Sequence, residues 1–347
     1  MLERALTLLR DQIAPRAEEI DADPAVLAWA LKLLGDNELM ALRRPHAFGG
    51  PEMSEADFRS FQEEVARASG TLAFLQTQHQ SAVSLVSKGH NQAIKEEYLP
   101  KMHNGERLVG IGFSQLRRPG PPILRAQPTD GGYHLIGEVP WVTGLGYFPE
   151  FLVGAQLDSG ESVFGLLPFE EAEGICIGPV MELAAMQSAN SVAIELDCFL
   201  PGERVIDIKP ANWIFRNDMI NITLQGFFAV GCARAGIDQV RLAEGKRKNL
   251  AGKGFADALE AELMECRSRL STAQTMSEET TEEKLSLRAW AIDLAVRCAH
   301  AGIVAVGGSA NSLRHPAQRI YREALVFSVS AQTGPIQEAT LQRLIRR

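Results

Sequence analysis

The chain has 347 residues, 46% hydrophobic and 22% charged, values of an ordinary globular protein long enough for two or three domain-sized units. Its formal net charge of −8 argues against nucleic acid or an anionic membrane surface as the main partner. The five cysteines (Cys176, Cys198, Cys232, Cys266, Cys298) show neither CxxC nor metal-ligand spacing, so no metal is expected and they read as reduced thiols of a cytoplasmic protein.

Residues 1–107 read as helical. Met1-Leu2-Glu3-Arg4 opens directly into an amphipathic helix rather than a signal peptide, and Leu2, Leu6, Leu9 and Ile13 recur at helical spacing up to a break at Pro15. A second helix runs from Val26 to Leu34 and stops at Gly35. The Phe48-Gly49-Gly50-Pro51 loop follows. Ser54 then caps a helix that ends near Ala68, with Asp57 three residues on. Thr71 to Val86 is an apolar helix rich in Gln76, Thr77, Gln78, His79 and Gln80. Such polar residues suit a wall facing a cavity or a partly exposed helix, and His79 reads as a ligand contact or, as the bland alternative, a satisfied structural histidine. Asn91 to Met102 is another short helix. No apolar run in the chain is long enough to span a bilayer.

The texture changes over residues 108–210. Short runs of strand character are divided by Gly, Pro and Asp: Val109–Phe113, Tyr133–Val142, Phe151–Gln156, Ser162–Pro168, Ile175–Gly178, Val192–Cys198 and Arg204–Ile208. Their spacing indicates a β-barrel or sandwich. Within it, the strand from Gly132 ends in Trp141-Val142-Thr143. Period-two spacing puts Trp141 and Thr143 on one face. An indole beside a hydroxyl suits a planar heteroaromatic ligand such as a flavin ring; a core tryptophan beside a surface threonine is the alternative.

Helical periodicity returns over residues 211–347. Ile220 to Lys246 reads as one long helix whose small residues (Gly226, Gly231, Gly236 among them) permit close helix contact. Phe255 to Met276 is a second. Ser277 to Glu283 is an acidic, solvated connector. Leu285 to Val306 is a third helix, ending at Gly307-Gly308. A shorter helix carries Arg319, Tyr321 and Arg322, and Pro335 to Ile345 is the last. Together they predict a four-helix-type bundle.

An α-helical domain, a small β-domain and a helical bundle in this order, an α+β multi-domain arrangement, resemble the acyl-CoA dehydrogenase family across nearly the whole chain. Ile13-Ala14-Pro15-Arg16 to Asp21, the loop Arg44-Pro45-His46-Ala47-Phe48-Gly49-Gly50, and Lys95 to Met102 with Gly105-Glu106 are similar to its N-terminal domain. Gly132 to Gly137 with Trp141-Val142-Thr143 resembles its flavin-contacting strand. Gly307-Gly308 and Arg319 to Arg322 resemble the last third of its bundle. The resemblance implies FAD, a small-molecule substrate such as an acyl-CoA, and a homodimer or homotetramer. It implies that Trp141 packs by the isoalloxazine, that Thr143 hydrogen-bonds near its N5, that Ser114 meets the flavin or its pyrophosphate, and that Arg247 reaches the FAD of a neighbouring subunit.

The pattern also breaks. Family dehydrogenases take the α-proton of the substrate with a glutamate, and that position here is Ala331. In other members the base sits near the position of Asn221; the nearest carboxylate is Asp218, a displaced base or an N-cap-region residue. The family glutamine before Gly-Gly is Val304. The loop after the first β-strand reads Gln115 to Pro122, and its Arg117 and Arg118 suit an anionic partner or plain solvation. The expected function is an FAD-dependent oxidoreductase of CH–CH donor type. A flavin monooxygenase or oxidase on the same fold, and a non-catalytic member kept for binding or assembly, are the alternatives.

Overall fold

The computed structural model describes residues 1–273 and 281–345. The expected helix end at Met276 and residues 277–280 of the acidic connector lie outside the described residues.

The first third is helical. Helix α1 (Leu2–Leu8) continues through a π turn and a 3₁₀ turn at Ala14–Arg16 into α2 (Ala17–Ala22), so Pro15 tightens the path rather than breaking it. Helix α3 (Pro24–Asp36) starts on Asp23, whose carboxylate accepts the Ala25 N–H at 2.8 Å, with Pro24 at the first helical position. Ser54 caps α4 (Glu55–Ala68) by accepting the Asp57 N–H, as its spacing predicts. Helix α5 (Gly70–Lys88) and the short α6 (Gln92–Tyr98) complete this part.

The middle third is one continuous mixed sheet of eight strands: β1 (Val109–Gly112), β2 (Leu124–Thr129), β3 (Gly132–Thr143), β4 (Glu150–Gln156), β5 (Ser162–Pro168), β6 (Ile175–Ile177), β7 (Ser191–Pro201) and β8 (Val205–Lys209). The hydrogen-bonded order is β6-β7-β3-β2-β4-β5-β8, with β1 added in parallel to β4. Strand β2 was not expected from the sequence. It pairs antiparallel with β3 across a turn in which Gly131 takes φ +75°, a conformation that suits glycine.

The last third contains α7 (Trp213–Ile220), α8 (Gly226–Lys246), α9 (Phe255–Ala273), α10 (Thr281–Val306), α11 (Pro316–Val329) and α12 (Gly334–Leu344). The expected helix Ile220–Lys246 begins only at Gly226, and turns at 221–225 separate it from α7, which ends at Ile220. Asn221 ends α7 by donating its side-chain amide to the Asn217 carbonyl at 2.7 Å. The small residues of α8 do permit close contact. A Cβ on Gly231 would stand 2.1 Å from the Glu63 carbonyl oxygen of α4, and one on Gly236 would stand 2.5 Å from the Cys298 carbonyl carbon of α10. Helix α10 is long and apolar enough to cross a bilayer by length and composition, which the expectation of no such run missed. It packs against α8, α9, α11 and α12, and its Asp293 accepts from Arg343 of α12. One apolar cluster runs from α1 through the sheet to α11.

Candidate functional site

Strand β3 builds the centre of the site. Its ladder with β7 runs from Gly132↔Pro201 to Val139↔Ile194, slips, and resumes at Val142↔Val192. The slip is a β-bulge at Pro140-Trp141, where proline has no N–H to give the ladder. Leu135, Val139 and Val142 are buried in the core. Unbroken alternation from Leu135 and Val139 would carry Trp141 inward with them. The extra residue reverses the parity, and the indole stands out, 46% exposed. Thr143 alternates with Val142 and so leaves on the side of Trp141. Its hydroxyl is buried against Ser191 Oγ at 2.9 Å.

Ser114 opens the 3₁₀ turn Ser114–Arg117 that follows β1 and packs against β3. Beside it, buried Gln115 donates from Nε2 to the Gly154 carbonyl at 2.8 Å, while its Oε1 has no partner. At the end of the turn Arg117 grips Asp218 of α7, Nε to Oδ2 at 2.7 Å and Nη2 to Oδ1 at 2.8 Å. This corrects two expectations at once. Asp218 is not an uncommitted base, because both its oxygens accept from the guanidinium. Arg117 is not an open anion contact, because its fork is filled. Arg118 is exposed.

Of the two readings of His79, the satisfied structural histidine is the one its surroundings match, and it does not face a cavity. It is fully buried between α5 and β1. Its Nδ1 accepts the Val109 N–H at 2.9 Å and its Nε2–H donates to the Met102 carbonyl at 2.9 Å. That pattern is the neutral tautomer with its proton on Nε2. Burial lowers its pKa to about 4. Gln80 makes a similar bracket, donating to the Leu39 carbonyl at 2.8 Å and accepting the Leu42 N–H at 3.2 Å. These polar side chains of α5 are fasteners.

Arg247 stands at the C-cap of α8 and donates to the Val306 carbonyl at the end of α10. Gly307, at φ +77°, lies so close that a Cβ there would be 3.3 Å from Nη1 and Nη2. Ala331 follows the C-cap of α11 in the left-handed region, φ +49°, and is exposed. Arg288 of α10, unremarked in the sequence, is buried and donates to the Ser330 carbonyl of the same turn at 3.3 Å.

The turn that Ser114 opens thus packs against the strand of Trp141 and Thr143, Arg117 joins Asp218, and Arg247 stands at the Gly307-Gly308 corner. Ser191 and Gln115 were missed: neither has a sequence signal, since each is defined by what it meets. A half-exposed flat indole with hydroxyls on adjoining elements fits a planar heteroaromatic ring, and an arginine at a glycine corner fits a diphosphate. A separate open cleft of about 680 Å³, lined by Tyr147, Phe148, Phe169 and Val180 among others, holds none of the expected residues.

Residues 1–106 match the acyl-CoA dehydrogenase N-terminal domain. Mitochondrial isovaleryl-CoA dehydrogenase of Arabidopsis thaliana is 28% identical over 210 residues, 57% of this chain and about half (51%) of that protein. Mitochondrial 2-methylacyl-CoA dehydrogenase of Solanum tuberosum is 22% identical across 98% of this chain and 88% of its own length. Among solved structures, glutaryl-coenzyme A dehydrogenase in complex with glutaryl-CoA covers all of this chain and 94% of its own, with TM-score 0.83 and 18% identity. Butyryl-CoA dehydrogenase of Megasphaera elsdenii covers 99% and 97%, with TM-score 0.80 and 18% identity. These structural likenesses establish the fold.

Proposed function

We propose that the chain, a member of the acyl-CoA dehydrogenase family by its N-terminal domain and its full-length relatives, is an FAD-dependent oxidoreductase acting on an acyl thioester or a related small molecule. The observation that carries this reading is the bulge at Pro140-Trp141, which turns a large indole out of a core that would otherwise hold it. Bulges re-aim side chains at functional sites. Trp141 would cover the ring, Thr143 would meet its polar edge, Ser114 would meet the flavin or its pyrophosphate, and Arg247 would reach the diphosphate of a neighbouring subunit's FAD with its planar fork. FAD, when bound, supplies the hydride acceptor. The segments 1–107, 108–210 and 211–347 are read as the units that enclose it.

The chain's own part is to bind the thioester and to move the α-proton, and here its residues depart from the family. Ala331 stands where the family glutamate is expected, and a methyl group accepts no proton. Near the second expected position stand Asn221, an amide, and Asp218, already filled by Arg117. Ordinary α,β-dehydrogenation is therefore slow in this reading. The missing base also favours a second one, a monooxygenase or oxidase on the same fold whose flavin is reduced by a separate reductase, since that route takes no α-proton from a thioester.

The test is whether the purified protein is yellow, or takes up FAD, and keeps it through gel filtration. Trp141→Ala and Arg247→Ala should each weaken retention about tenfold or more. A protein that refuses FAD sinks both enzyme readings, and unchanged retention in both variants rejects this site. With flavin bound, Ala331→Glu should speed anaerobic bleaching by acyl-CoAs by about a hundredfold, the low end of a general base's contribution. Oxygen-dependent turnover with a supplied flavin reductase would instead favour the second reading.

A further inference from the structure

Helix α7 is weakly anchored. None of its eight residues is buried. Phe215 and Ile220 expose more than half of their surface. The chain enters it through Asn212, at φ +66°, and leaves through the turns at 221–225. It is held by Trp213 and Ile214, which pack part-buried against the apolar cluster around Phe113, Phe164 and Ile206, with the Trp213 ring edge-on to Phe164 at 5.2 Å and under the Lys209 ammonium, and by the Arg117–Asp218 fork. The fork is the one charged contact between this helix and the turn that packs against the strand of Trp141 and Thr143. Its two side chains keep 23% and 15% of their surface in solvent, so water and ions reach it. Because solvent reaches the pair, an anion in excess competes with the Asp218 carboxylate for the same fork. The geometry of the contact is also what an external ligand would use: a planar carboxylate, or two oxygens of a phosphate, in a guanidinium fork.

We propose that Arg117 is an anion receptor for a carboxylate- or phosphate-bearing ligand, and that Asp218 occupies it as an internal mimic, so that α7 is a lid the ligand displaces. The proposal rests on the oxidoreductase reading only in placing the ligand beside β3. A ligand anion that takes the fork leaves Asp218 without its partner, and α7, with no buried residue, swings on Asn212 and the 221–225 turns. Binding and opening are then one equilibrium, and removing the mimic favours both.

Hydrogen–deuterium exchange of the full chain tests this, with glutarate as the carboxylate probe and coenzyme A as the phosphate probe. Either anion should speed exchange at residues 213–220, and the one that does identifies the ligand chemistry. Asp218→Asn should speed that exchange about tenfold without ligand, leaving α8 unchanged. It should also tighten the active anion by about three- to tenfold, because a competitor is gone. Arg117→Gln should open the helix equally but abolish the response to anion. A static structural pair gives the opposite result: no response to either anion, and Asp218→Asn binding no more tightly than the parent. Neither measurement uses flavin or turnover. Loss of flavin retention would overturn the oxidoreductase reading alone, and an anion-insensitive helix would overturn the lid alone.

Discussion

His79 shows what one residue does when its surroundings are complete. It gives the first strand of the sheet a partner for the Val109 N–H and ties α5 to the Met102 carbonyl. The fold holds it neutral, with a pKa of about 4 against roughly 6.5 in the unfolded chain. Its contribution to stability is therefore fully present above about pH 6.5 and is lost as pH falls towards 4, because the unfolded chain takes up a proton that the buried ring refuses. Over that window the loss is about 3 kcal/mol. Urea melts at pH 7.5 and 4.5 check it: His79→Gln, with one donor and one acceptor but no titration, should lose less stability than the parent between the two. Equal losses would mean that other groups carry the acid sensitivity. The sequence flagged the polar run Gln76 to Gln80, but periodicity cannot say whether a buried polar group meets a ligand or a backbone amide.

Among elements, the seam between α4 and the last third decides how firmly the helical parts are joined. Glu63 is almost fully buried and accepts from Arg234 Nη1 at 2.9 Å and Arg267 Nε at 2.6 Å. One turn on, Arg67 and Asp238 form a fork at 2.8 and 2.9 Å. Glu63→Ala takes the carboxylate from part-exposed Arg267 and leaves Arg234 with Glu64 alone, and should cost about 2–3 kcal/mol, the range for hydrogen bonds to charged groups. Chemical denaturation measures it, and a loss below about 1 kcal/mol would mean that solvent already screens the seam. The close approach at this seam was legible, because small residues at helical spacing in α8 have few other uses. The break between α7 and α8 was not. Ile222 and Leu224 continue the apolar pattern through it, and beside the local Asn221 cap the turn is held by a remote group, since Arg59 donates to Thr223 Oγ1 at 3.0 Å. Strand β2 escaped for a related reason. Its Arg125, Gln127 and Pro128 dilute the alternation, and only the ladder with β3 makes it a strand.

For the whole molecule, Val304, Leu313, Leu325, Val329 and Leu344 leave more than half of their surface exposed along α10 to α12 and the loop between α10 and α11. A second copy of the chain would cover side chains of this kind, and the prediction is a homodimer or homotetramer. Light scattering behind gel filtration should give a multiple of 37.9 kDa at micromolar concentration, and a monomer would reject the assembly. The sequence by itself determined the order of helices, sheet and helices, the cap at Ser54, and the Trp141-Val142-Thr143 motif with its family likeness. Periodicity, capping and turn chemistry are local, and a local signal survives in one dimension. Only the tertiary structure decided that Trp141 points outward, since parity at a bulge is set by the partner strand. Only it paired Arg117 with Asp218, 101 residues away, and closed His79 into the core. Burial, ion pairing and hydrogen-bond satisfaction belong to neighbours that the chain supplies from elsewhere.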